Sequence, residues 1–321
     1  MPMAEMRISP GSLLRSIHGV AQAVKLSGAE TEPIAQRLSA STEALELAEW
    51  QALFEDMNSG DDDDDDDDGH SLHQLTAVLG VALAVSFLRE TGRHDRIARP
   101  DELDRCWDMV YRAISSKGAP AFAASRSAQG FLSVPLCSIV RDGSIDELFR
   151  LHVWLPDGKR GNPDFRLHSH QPFAQSWILA GAGEDRSWEV EQVNDPAEAT
   201  HAGYALSWAD GKGQGSAYKT HQSSSTVRNT GDLFRATETS AQVNVRDSTY
   251  VVPAARYHTS DVAPDALCAT LFFFDSHRGF VKDAGVLGPR DGESYTQLRD
   301  PAGVSPSELA EAVQAARLQE L

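Results

Sequence analysis

Cysteine is scarce. There are three in 321 residues, Cys106, Cys137 and Cys268, and none stand in a C-x-x-C spacing. That argues against a disulfide framework or a zinc knuckle and points to a reducing, cytoplasmic setting. Basic residues are also few, 29 Lys and Arg against 47 Asp and Glu, giving a formal charge of −18. With no basic stripe to meet a phosphate backbone, the composition argues against nucleic-acid binding. The longest apolar run, "LTAVLGVALAVSFL" (Leu75–Leu88), is shorter than the roughly 18–20 residues of a spanning helix, so a buried helix and no membrane partner are expected. The opening "MPMAEMRISPGSLLRSIHG" lacks the apolar centre of a secretory signal. "GKGQG" (Gly211–Gly215) has neither the strand nor the helix that a phosphate loop requires and reads as a turn. No nucleophile elbow or supported Ser-His-Asp arrangement is seen, which disfavours a serine hydrolase.

What is present divides into two textures. In the first third, Leu13, Ile17, Val20 and Val24 recur at helical spacing, as do Leu103, Trp107, Val110 and Ile114. Between these helices lies the run Asp61–Asp68, whose adjacent carboxylates repel and read as an extended solvated loop. From about residue 128, short segments rich in β-branched and aromatic residues alternate with Gly, Pro, Asn and Asp, among them "ELFRLHVWL", "QSWILAG", "STYVVP" and "ALCATLFFFD". That pattern predicts an antiparallel barrel or sandwich. Ser305, Pro306 and Glu308 form a capping box that opens a terminal helix. The expected organisation is a helical region over 1–125, a barrel over 126–285, and a tail with a helix over 286–321.

Within the β region, "RLHSHQPFAQSWILAG" places Arg166, His168 and His170 on one strand face by alternation. Two imidazoles so spaced can hold one metal ion, given a partner elsewhere. "DSTYVVPAARYHTS" (residues 247–260) offers His258. Together the two stretches resemble the paired motifs of the cupin superfamily, G-x5-H-x-H-x(3–4)-E-x6-G and G-x5-P-x-G-x2-H-x3-N. His168 and His170 match the first motif's histidines, with Gln175 in the glutamate position and Gly181 or Gly183 near the closing glycine. Pro253, Ala255 and His258 keep the P-x-G-x2-H spacing, while Asp247 and Val262 stand where glycine and asparagine would be.

The resemblance implies a double-stranded β-helix, the cupin jelly-roll barrel, with one divalent metal on His168, His170 and His258. Three imidazoles leave open coordination positions, a catalytic rather than a structural arrangement. Gln175 is neutral, a fourth ligand at most or an outer-shell residue, so the ion would keep its charge and favour a small anionic chelating substrate. The cysteine dioxygenase branch is similar in having three histidines and no acidic ligand. It implies Fe(II), O2 as co-substrate, and an arginine pairing the substrate carboxylate, for which Arg150 and Arg166 are candidates. Trp177 is a candidate substrate contact, and Tyr250 a candidate hydrogen-bond donor to a reactive oxygen species. Zn, Mn or Ni in a non-redox lyase or isomerase is the alternative, and a non-catalytic ligand-binding protein is another. The helical region is a candidate homodimer surface.

Overall fold

The structure, a computed structural model, describes residues 5–39, 42–58, 68–116, 120–142, 144–208, 224–298 and 302–320. The acidic run up to Asp67 and the GKGQG turn lie outside these residues. By its internal contacts the chain forms two compact units. One comprises Met1–Ala123, Pro135–Ile139 and Ser305–Ala315; the other comprises Ala124–Val134, Val140–Val304 and Ala316–Leu321.

The first unit is built on α1 (Pro10–Val24), α2 (Gly28–Ser39), α3 (Leu47–Asn58), α4 (Asp68–Arg93), α5 (Pro100–Ser115) and most of α6 (Pro306–Gln319). A short ribbon of β1 (Arg7–Ile8) and β2 (Leu45–Glu46) accompanies them. Ser9 caps α1 by accepting from the Ser12 amide, and Pro10 sits in its first turn. The striped residues Leu13, Ile17 and Val20 are wholly buried, each contributing about 1.5–3 kcal/mol of transfer free energy. The apolar run Leu75–Leu88 falls inside α4, which is 26 residues long. Its stretch His73–Arg93 is long and apolar enough to cross a bilayer, yet 78% of that window is buried inside the fold. Its length therefore exceeds the sequence-based expectation. The Ser305–Glu308 capping box opens α6, each residue accepting from the other's amide.

The second unit is mainly β, in strands β3 (Ser125–Arg126), β4 (Leu132–Arg141), β5 (Ser144–Trp154), β6 (Pro172–Val193), β7 (His201–Trp208), β8 (Ser224–Val245), β9 (Thr249–Val252), β10 (Tyr257–Asp261), β11 (Cys268–Phe280), β12 (Val286–Gly288) and β13 (Ser294–Leu298). The last two extend the sheet past residue 285, where the barrel was expected to end. β12 pairs with β7 and β13 with β8.

β6 belongs to two antiparallel sheets. Its first half pairs with β9 and β11, and beyond Gly181 it pairs with β8 and β10. "QSWILAG" and "RSWEVEQV" are thus one strand rather than two. The crossing falls at Gly181, whose φ is +73°. A Cβ there would lie 1.9 Å from the Leu267 carbonyl oxygen, so only glycine fits. On the adjacent strands β5, β6 and β11, Trp154, Ile178 and Cys268 form one buried cluster, with Phe131, Tyr250 and Val262 packed on it.

Candidate metal centre

His168 and His170 lie on an extended segment leading into β6, not in a continuous strand. His168 makes an isolated bridge to His258 on β10. The two residues exchange backbone hydrogen bonds, the His258 amide donating to the His168 carbonyl at 2.9 Å and the reverse at 3.2 Å. The Ala255 amide donates to the His170 carbonyl at 3.0 Å, which ties the turn before β10 to the same segment. At that turn Ala255 has φ +65°, and Asp247 also has φ +65°. These are the two positions where the motif carries glycine, so the left-handed geometry is kept without it.

The backbone pairing brings the three imidazoles together. Ring centroids are 4.7 Å apart for His168–His170, 4.7 Å for His168–His258 and 5.0 Å for His170–His258. One ligand atom from each lies within 4.8 Å of the others. His258 Nε2 is 3.0 Å from His170 Nε2.

Two of the three outer nitrogens have partners. His258 Nδ1 lies 2.8 Å from Asp185 Oδ1, and His168 Nδ1 lies 2.8 Å from the Arg166 carbonyl oxygen. A carboxylate or carbonyl accepts from Nδ1–H, which leaves the Nε2 lone pair of each ring facing inward. Burial pushes His168 down to about 3, the neighbouring His258 adding to the effect. Burial likewise holds His170 well below its ordinary value. Three converging imidazoles, two of them with the outer nitrogen held, are a donor set of the kind a divalent metal requires.

Asp185 also accepts from Ser260 Oγ at 3.0 Å. Ser260 and Asp185 therefore stand in line behind His258. Asp185 and Ser260 line a narrow cleft with Trp154, Ile178, Tyr250 and Thr270, whose volume of about 10 Å³ is room for about one water. Burial pushes the hydroxyl of Tyr250, which lines the same cleft, up to about 12. Asp185 was invisible to sequence reasoning, because only the β6–β10 register sets it behind His258.

Three expectations are corrected. Gln175 and Trp177 face away from the histidines. Phe274, which meets His170 at 4.9 Å between ring centroids, pairs across strands with Ala174. Gln175 pairs with Phe273 on the opposite face, and its amide oxygen accepts from Arg278. The four-residue gap after His170 gives Gln175 the wrong parity, and no bulge restores it. Trp177 is buried on that same face, parallel to Phe149. Arg166 fails for another reason. It closes a 3-10 turn (Pro163–Phe165) in helical conformation, so strand alternation begins only after it. Its guanidinium is half exposed and pairs with Asp261 at 2.9 Å.

Arg150 stays on the interior face with His152 and Trp154, close enough to lower the basicity of His152 and His170. A second grouping, Asp146, Glu147 and His277, is read as an ion-pair network, since Asp146 pairs with Arg141 at 2.9 Å.

No known protein family and no curated protein matches the chain. Several solved structures are similar in part. A single-residue variant of oxalate decarboxylase from Bacillus subtilis is 10% identical over 50% of this chain and 30% of its own, with a TM-score of 0.24. A cupin-like protein from Thermotoga maritima is 13% identical over 52% of this chain and 86% of its own, with a TM-score of 0.24. Hydroxypropylphosphonic acid epoxidase from S. wedmorenis is 11% identical over 71% of this chain and 96% of its own, with a TM-score of 0.25. The chain spans about a third of the length of the oxalate decarboxylase and of a pumpkin pro-11S globulin that it also resembles.

Proposed function

We propose that the second unit is a cupin-type metal enzyme holding one divalent ion on His168, His170 and His258, most simply Fe(II) in an oxygenase. The observation that carries the reading is the convergence of three imidazoles, with the outer nitrogens of His258 and His168 held by Asp185 and the Arg166 carbonyl. Bound there, Fe(II) would supply open coordination positions for a chelating substrate and O2 together. The substrate class is a small anion, an amino, keto or thiol acid, because the trio contributes no negative charge and Arg150 adds a nearby cation.

The chain's own residues do the positioning. Asp185 holds His258 in one tautomer, Ser260 donates to Asp185, and Phe272 and Phe274 meet the His170 ring edge-on. The same donors suit Zn, Mn or Ni, and with one of these the chemistry becomes that of a lyase or isomerase. The reading includes a cytoplasmic setting, consistent with three buried free thiols. It also includes a homodimer built on the helical region, which light scattering would refute by a monomeric mass.

The deciding test is elemental mass spectrometry on protein purified without oxygen or chelator, with His258→Ala alongside. Near-stoichiometric iron that disappears in the variant is expected. Zinc, manganese or nickel at that level replaces the oxygenase reading, and no metal in either protein overturns the centre.

A further inference from the structure

Along the interior face, one strand step beyond Arg150 and Phe272, stand His152 on β5 and Thr270 on β11, directly paired across the strands. Both are almost wholly buried, at 4% and 2% exposure. His152 Nε2 and Thr270 Oγ1 are each buried without a hydrogen-bond partner among the described residues. Native interiors seldom leave such atoms unsatisfied, and two adjacent ones, of which Thr270 lines the cleft, mark a place where a ligand's polar group belongs.

The site is built to aim those atoms. The His152 ring is clamped between Phe131 at 4.1 Å and Phe272 at 4.6 Å, both near-parallel, with Trp154 at its edge. Its faces are covered, so only its edge can make a polar contact. Thr270 lines the cleft that also reaches Asp185, behind His258. Phe272, the next interior residue on β11, already touches the His170 ring. A strand step is about 7 Å, so a molecule bound at the histidines must extend by several atoms to reach the pair. The Arg150 charge beside His152 favours an anionic group there.

We infer that His152 and Thr270 bind the far carboxylate of a four- or five-carbon diacid whose near end, a 2-oxo or 2-amino acid, chelates the metal. This rests on the metal-centre reading above. The Thr270 hydroxyl and the His152 Nε2–H donate to one carboxylate, and the aromatic clamp keeps water from competing. The pair is thus specificity-determining: it selects diacids over monoacids of the same chelating chemistry.

The test uses the full-length protein loaded with Co(II), whose visible bands report ligand binding. It is titrated with 2-oxoglutarate against pyruvate, with L-aspartate against L-alanine, and with azide as a small anion that occupies only the metal. In wild type, at least one diacid is expected to bind tenfold or more tightly than its monoacid partner. Thr270→Val, which removes only the hydroxyl, is expected to cut that preference about tenfold, the worth of one hydrogen bond to a charged group. Thr270→Ser is expected to keep it, and azide affinity is expected to be the same in all three proteins. His152→Leu gives an independent loss of the same preference. Azide binding without any diacid preference, or a preference untouched in Thr270→Val, overturns this inference and leaves the metal centre standing. A protein that takes up no cobalt overturns both.

Discussion

Asp185 offers the sharpest test of how the centre is held. Its carboxylate accepts from His258 Nδ1 at 2.8 Å and from Ser260 Oγ at 3.0 Å, and its side chain is 10% exposed. A hydrogen bond to a charged group contributes about 1.5–3 kcal/mol, against about 1 kcal/mol for a neutral one. Asp185→Asn keeps the shape and one acceptor oxygen but loses the charge. It should therefore forfeit about 1–2 kcal/mol, or about five- to thirtyfold in metal affinity. Asp185→Ala frees the imidazole to rotate and leaves a buried donor unpaired, so its loss should be greater, approaching a hundredfold. The measurement is the Co(II) dissociation constant by competition with a chelating dye, with the thermal midpoint of metal-free protein taken in parallel. The metal-free Asn variant should melt close to wild type. Wild-type metal affinity in Asp185→Asn would refute the argument that this carboxylate orients His258.

Other consequences can be checked by stability alone. Ala255→Gly relieves a left-handed alanine at φ +65°. The strain relief of about 1–2 kcal/mol exceeds the entropy of an added glycine, so urea unfolding should show a gain of about 0.5–1 kcal/mol. Gly19→Ala should do the opposite: its Cβ would sit 2.4 Å from Cys137 Sγ and 3.0 Å from Ile139 Cγ1. Overpacking outweighs the better helix propensity, for a net loss of about 1–2 kcal/mol in urea unfolding. Burial holds His152 well below its ordinary value. The unfolded chain therefore binds the proton first, and stability is full above about pH 6.5 and declines as pH falls. In metal-free protein, His152→Leu should flatten the decline between pH 7 and 5 by at most about 1.4 kcal/mol per unit, the limit for one proton. Superimposable pH profiles would refute this.

The sequence made the mainly β architecture legible because turn residues punctuate segments rich in β-branched and aromatic residues, even though β6 and β8 each run for 22 residues, and the α1 stripe because its period is unambiguous. It also named the three histidines, since the spacing within each motif survives even where Ala255 and Asp247 replace glycine. It misplaced Gln175 and Trp177 because strand parity was carried over from a motif rather than counted from His170. It misplaced Arg166 because a 3-10 turn resets alternation, and nothing local in "NPDFRLHSH" announces where that turn stops. Asp185 and the His152–Thr270 pair depend on which strands lie side by side, and such register is a property of tertiary pairing.

The passage of β6 through both sheets has a consequence for how the centre tolerates change. His170 stands just before this strand, Gly181 marks its crossing, and Asp185 follows four residues later. The separation between an inner ligand and the carboxylate behind another ligand is therefore fixed by covalent chain length, with no loop between them. One residue inserted between Gly181 and Asp185 would turn the carboxylate to the opposite face and set a neighbour's side chain behind His258. Substitutions can vary the chemistry of this segment, but its length is held constant by the geometry it measures out.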